Sequence, residues 1–266
     1  MTLFCDFDGP IVDVSSRYYA TYCLALARTR RAYCRRQDPC LTPLTKVQFW
    51  RMKQQRRPDS EIAHRSGLQA DQVDRFLAEV QQIVNCCPHL LRRDAIQPQV
   101  PAALALLRRH GIQPVLVTLR CESQVRSFLA RYGLGDAFAA IYGTQDRQAA
   151  YSNYGDVKTA LLGAALADHG SGQEDWMVGD TEADVIAAQR LGLKAIALTC
   201  GIRSHSYLRA LRPSSLQPNL LVLAQSIHQD LELDRAACTP IQWGEHGGIV
   251  PSGAAPGSAP TTPTSD

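Results

Sequence analysis

The 266-residue chain reads as an α/β protein: a parallel sheet with helices on both faces and an all-helical insertion after the first strand. Three observations predict this. Two short apolar runs, Leu3-Phe4-Cys5 and Trp176-Met177-Val178, stop abruptly at carboxylates, as buried parallel strands do when their ends carry a site. From Pro98 onward, strand-like runs alternate with helix-like segments, which implies a parallel sheet covered on both faces. Residues 15–91 instead carry helical patterns and no convincing strand.

The elements follow in order. Residues 2–7 form the first strand. In the insertion, helices are expected over 16–36, 45–55, 60–66 and 70–83; in the last, Val73, Phe76, Leu77, Val80 and Val84 recur at helical spacing. Asp59-Ser60-Glu61 and Gln69-Ala70-Asp71 suit helix starts. A helix over 100–110 stops at Gly111, and a strand over 113–118 ends at Thr118. A helix over 121–132 stops at Gly133. Then come a strand (138–142), a helix (157–167), a strand (175–178), a helix (182–191) and a strand (194–198), with 219–223 and 224–233 closing the sheet. The stretch 247–266 is so rich in Gly, Pro, Ser, Thr and Ala that it cannot offset its ordering entropy. The expected division is a core of 1–14 and 92–234, a helical insertion of 15–91 and a disordered tail of 235–266.

Bulk composition narrows the function classes. No run approaches the roughly 20 apolar residues that span a bilayer. The chain reaches a strand-like segment by Leu3, which leaves no room for a signal peptide, so a cytoplasmic location is expected. Nine scattered cysteines with no Cys-x-x-Cys pair read as reduced thiols, and seven histidines show no metal-ligand spacing. Residues 14–94 hold 15 Lys+Arg against 7 Asp+Glu, a balance of +8, whereas the rest of the chain balances at −5. Basic and acidic character therefore belong to different segments with different tasks.

The chemistry lies in the acids. Asp6 and Asp8, two apart at a strand end, project toward the same side. In Gly179-Asp180-Thr181-Glu182-Ala183-Asp184, one aspartate ends a strand and the other lies one helical turn later. Carboxylates at Asp6, Asp8, Asp180 and Asp184 converge only if a cation or an anion-handling task requires it. Glu182 reads as a solvated first-turn residue. Gly9 suits a sharp turn after the strand.

These motifs, in this order, resemble the haloacid dehalogenase superfamily, and within it the Asp-x-Asp phosphotransferases of the phosphoglycolate phosphatase and β-phosphoglucomutase branch. The resemblance covers residues 1–14 and 92–234 and implies a Rossmann-like core. It implies Asp6 as the nucleophile that becomes an aspartyl-phosphate and Asp8 as general acid–base. Lys158 neutralises Asp6 and the incoming phosphate, Thr118, Gly9 and Arg120 bind phosphate, and Mg²⁺ is held by Asp6, the Asp8 carbonyl, Asp180 and Asp184. Pro10 stands where the family usually has Thr, and Lys158-Thr159 where many relatives have Lys-Pro. Asp13 matches an acidic position at the family's mobile flap. The insertion corresponds to a C1-type cap, which favours small phosphorylated metabolites over macromolecules; Arg17, Arg51, Lys53, Arg56 and Arg57 are its candidate substrate contacts. The expected activity is a Mg²⁺-dependent phosphatase with no membrane and no nucleic-acid partner. Two alternatives stay open: a phosphomutase, and a binding module using the basic run 28–36, against which the complete acid set argues.

Overall fold

A computed structural model describes residues 1–33, 41–145, 155–172 and 174–237. The expected tail over 247–266, and the end of the first expected helix with the last part of the basic run, lie outside the described residues.

Six strands form one parallel sheet: β1 (Leu3–Cys5), β4 (Val115–Cys121), β5 (Ala140–Thr144), β6 (Trp176–Gly179), β7 (Lys194–Leu198) and β8 (Ser215–Gln217), in the order β5-β4-β1-β6-β7-β8. The period-2 alternation of the strands sorts their side chains to two faces. Leu3, Cys5, Leu116, Val178 and Ile196 meet helices α5 (Val100–Arg109), α6 (Glu122–Arg131) and α10 (Leu220–Ala237). Phe4, Val115, Val117, Met177 and Ala197 meet α7 (Gly155–His169), α8 (Glu182–Arg190) and α9 (His205–Ala210). Near-continuous apolar strands are what burial on both faces demands.

The insertion holds α1 (Ser15–Tyr33), α2 (Lys46–Gln54), α3 (Asp59–Arg65), α4 (Ala70–Cys86) and a 3₁₀ turn, Pro88–Arg93. No strand falls within 15–91 among the described residues, as expected. Its apolar faces converge on a separate cluster of Tyr22, Phe49, Ile62, Phe76, Val80 and Ile83. Thr45 starts α2 with a capping box to Gln48. Where the chain leaves and re-enters the core, β2 (Val12–Asp13) and β3 (Ala95–Ile96) pair antiparallel, Val12 opposite Ile96. Neither strand was expected, because two residues are too few to carry an alternation.

Three boundaries differ from expectation. The third core strand is Ala140–Thr144, not 138–142, because Phe138 is drawn into the core beside Phe128. Residues 219–223 do not close the sheet: β8 does, and the Asn219 side chain accepts the N–H groups of Leu221 and Val222, which starts α10. β4 runs past Thr118, but its ladder with β5 is regular only through Thr118 and then shifts register.

Candidate active site

β1 and β6 are neighbours, and both end in aspartate at the same edge of the sheet. The chain leaves β1 toward β4 and β5 on one side and returns to β6 on the other, so this edge is the switch point of the strand order. The Asp6 N–H donates to the Val178 carbonyl at 2.8 Å, and its Oδ1 accepts the Phe7 N–H at 2.7 Å. Lys158, projecting from α7 and 1% exposed, sits between two acids: its Nζ lies 2.8 Å from Asp6 Oδ1 and 2.8 Å from Asp184 Oδ1. Asp180 is fully buried beside them, its Oδ2 accepting the Ile202 N–H. Thr118 accepts the Arg120 N–H on its Oγ1 at 3.1 Å and lines the same cavity as Asp6, Asp8 and Lys158. Five of the side chains singled out in the sequence, Asp6, Thr118, Lys158, Asp180 and Asp184, thus lie together at this buried edge.

Asp8 belongs to a second set. Arg17 Nη2 donates to its Oδ2 at 2.9 Å, and Arg120 Nη2 lies 2.9 Å from its Oδ1. Both arginines also grip Asp94, Arg17 through Nε at 2.8 Å and Arg120 at 2.7 Å. Arg120, expected to meet phosphate, is therefore already paired twice, although it still lines the cavity. Asp94 was not anticipated. It lies where the chain returns from the insertion, and no spacing around it signals that two arginines from distant segments will meet there.

Glu182 corrects an expectation. It is not solvated: it is 6% exposed and holds Arg203 through Nε at 2.8 Å and Nη2 at 3.1 Å, with Arg56 on its Oε1. Its neighbour Asp184 accepts the Thr181 N–H and hydroxyl at 3.0 and 2.8 Å, which caps α8. Of the other basic residues expected to meet substrate, Lys53 lines the cavity, Arg57 lies 3.7 Å from Glu61, and Arg51 is exposed.

The electrostatics follow from three buried carboxylates and one ammonium. Burial pushes the Asp6 carboxyl up to about 7; Lys158 pulls it down, and Asp184 pushes it up again. Asp180 is raised well above the usual carboxylate range by burial and then by Asp6 and Asp184. Burial disfavours the Lys158 ammonium, but Asp184 and Asp6 outweigh it and its pKa rises. Cys200 is held protonated, its thiol pushed up to about 12 chiefly by burial, so it is no rival nucleophile.

The acids fit a hard divalent cation. Ligand oxygens of Asp6, Asp180 and Asp184 lie within 4.8 Å of one another. Asp180 Oδ1 is buried with no hydrogen-bond partner among the described residues, an orphaned acceptor aimed into a carboxylate cluster. The backbone is cut away around them: a Cβ on Gly9 or Gly201 would collide with the Asp180 carboxyl, and one on Gly179 with Asp184. Gly9 also sits at φ +101°, a conformation closed to most side chains. An all-oxygen, anionic donor set of this kind suits Mg²⁺.

A phosphoglycolate phosphatase of Synechococcus elongatus is 28% identical over 227 residues, spanning 84% of this chain and 95% of its own. Probable phosphatase IndB of Dickeya dadantii is 26% identical over 151 residues, 53% of this chain and 63% of its own. A haloacid dehalogenase-like hydrolase structure from Streptococcus pneumoniae superposes with a TM-score of 0.61 at 18% identity, covering 85% of this chain and 97% of its own. The profile of haloacid dehalogenase-like hydrolases matches residues 3–189. The chain belongs to the haloacid dehalogenase-like hydrolase family.

Proposed function

We propose that the chain is a Mg²⁺-dependent phosphatase that hydrolyses a small phosphate monoester through an aspartyl-phosphate on Asp6. The observation that carries this reading is the buried cluster of Asp6, Asp180 and Asp184 around Lys158, which gathers more negative charge than one lysine neutralises. Asp6, Asp180, Asp184 and the Asp8 carbonyl would hold Mg²⁺, which would supply positive charge to offset the carboxylates and the phosphoryl oxygens. Lys158 adds a fixed ammonium beside the nucleophile, and the Thr118 hydroxyl donates to a non-bridging phosphoryl oxygen.

In the first step an Asp6 oxygen attacks phosphorus, the ester P–O bond breaks, and Asp8 gives its proton to the leaving alkoxide. In the second step Asp8 takes a proton from water. The water oxygen then attacks phosphorus, and the phosphorus–oxygen bond to Asp6 breaks, which restores the Asp6 carboxylate and leaves Asp8 protonated for the next turnover. Arg17 and Arg120 hold Asp8 in place throughout, and Asp94 holds both arginines. Residues 15–91 act as a cap over a core of 1–14 and 92–234, and the cap excludes water from the site. Among the described residues no helix is long and apolar enough to cross a membrane.

The test is phosphate release from a panel of small phosphate esters with Mg²⁺ and with EDTA. Release is expected only with the metal, and Asp6→Asn is expected to abolish it. Near-wild-type turnover by Asp6→Asn removes the covalent route.

A further inference from the structure

A second cavity adjoins the one over the catalytic acids, and the two share Tyr18, Lys53 and Arg120 as a common wall. Beside the polar Thr21, Asn85 and Gln124, this second space runs under the insertion and is walled by Tyr22, Phe49, Phe76, Val80, Ile83 and Leu90. All six belong to the insertion's own apolar cluster. A phosphate over Asp6 and Thr118 would therefore direct the rest of its ester toward a hydrocarbon surface.

The charges around the junction of the two cavities point the same way. Each cation there already has a carboxylate: Arg17 and Arg120 hold Asp8 and Asp94, Lys53 lies 3.0 Å from Asp59, and Arg203 holds Glu182. A substrate with a second anionic group, such as a carboxylate, competes with these acids for cations whose charge is already matched. An uncharged apolar group displaces none of them and gains from burial. Tyr18 marks the junction, its ring edge-to-face with Trp50 at 6.0 Å and beneath the Arg17 guanidinium at 5.1 Å.

We propose that this cavity seats the leaving group, and that the ester hydrolysed carries an uncharged aromatic or branched hydrocarbon group rather than a carboxylate. The inference rests on the phosphatase reading above. It separates this chain from its relative named for phosphoglycolate, whose leaving group is a small acid.

Benzyl phosphate, ethyl phosphate and 2-phosphoglycolate share a primary C–O–P linkage, so their comparison isolates recognition from leaving-group chemistry. With Mg²⁺, kcat/KM for benzyl phosphate is expected to exceed that for each of the others by at least about tenfold. Val80→Trp, which fills the cavity from α4, is expected to cut the benzyl-to-ethyl ratio about tenfold, mainly through KM. Equal or better turnover of 2-phosphoglycolate by the unmodified enzyme overturns the inference and leaves the phosphatase reading standing. An unchanged benzyl-to-ethyl ratio in folded Val80→Trp also overturns it. Release from none of these esters, nor from any of the wider panel, overturns the phosphatase reading and this inference with it.

Discussion

Asp6 must carry a negative charge where burial disfavours one. Its carboxyl, raised from 3.8 to about 7, binds its proton more tightly in the folded chain than in the unfolded one. The stability this contributes is fully present below 3.8 and is lost as pH rises through about 7. In EDTA at pH 8, Asp6→Asn is therefore expected to melt several degrees above the wild type, with the difference closing toward pH 4; a less stable Asp6→Asn at pH 8 would show that Lys158 outweighs burial. Mg²⁺ should reverse the order by stabilising the wild type. Asp184 serves as a cap acceptor, a partner of Lys158 and an oxygen in the acidic cluster. Asp184→Asn keeps an oxygen for the cap but loses the charge, so the Mg²⁺ concentration for half-maximal turnover should rise at least about tenfold. An unchanged Mg²⁺ titration would remove Asp184 from the metal site.

At the scale of elements, α8 links the catalytic edge to the insertion. Its first-turn Glu182 binds Arg203 in the loop after β7 and Arg56 just beyond α2. Two further bonds reinforce this junction: the Ser204 N–H donates to the Gln54 carbonyl at 2.9 Å, and Arg203 Nη1 to the Lys53 carbonyl at 3.2 Å. Arg56 itself sits at φ 56°, a left-handed turn that a non-glycine residue adopts only when its surroundings hold it there. Glu182→Ala leaves Arg203 buried without its carboxylate, a loss of about 3 kcal/mol. Faster amide exchange in α2 and a higher KM are expected, because the insertion would close less firmly; unchanged exchange would mean the junction is held by the backbone bonds alone. The signal for this role was absent locally. Glu after an N-cap Thr is common as a dipole-favoured surface residue, and only the loop carrying Arg203 makes it a buried one.

Across the whole molecule, the insertion has an apolar cluster of its own, and Tyr18 and Trp50 pack against both it and the sheet's. The sheet packs its flanking helices on two faces, while the insertion packs on its own aromatic group, with Tyr22 stacked on Phe49 at 4.9 Å and edge-on to Phe76 at 6.2 Å. At the acidic edge, polar and ionic contacts join the apolar contacts of Tyr18 and Trp50 in attaching the insertion. Phe76→Ala should cost about 3–5 kcal/mol, and the loosening should appear in α1–α4 before the sheet. Amide exchange resolved by segment checks this: uniform loosening of core and insertion would mean that the two unfold as one unit.

The alternation of apolar runs and helical patterns was enough to determine the parallel sheet and the helical insertion, because burial on two faces or on one stripe leaves a period in the chain. The acids at strand ends were equally legible, since a carboxylate placed directly after a buried run is costly unless a site at the strand end uses it. Asp94, Arg203 and the buried state of Glu182 were not. Each depends on which segments the fold brings together across tens of residues, and a lone charged residue carries the same local pattern whether it faces water or a distant partner. The two-residue pair β2–β3 and the start of α10 were likewise decided by tertiary contacts, because elements so short have no periodicity of their own. The acids that cluster at the strand ends could be named from the sequence; the tertiary structure decided which cations were already matched by carboxylates.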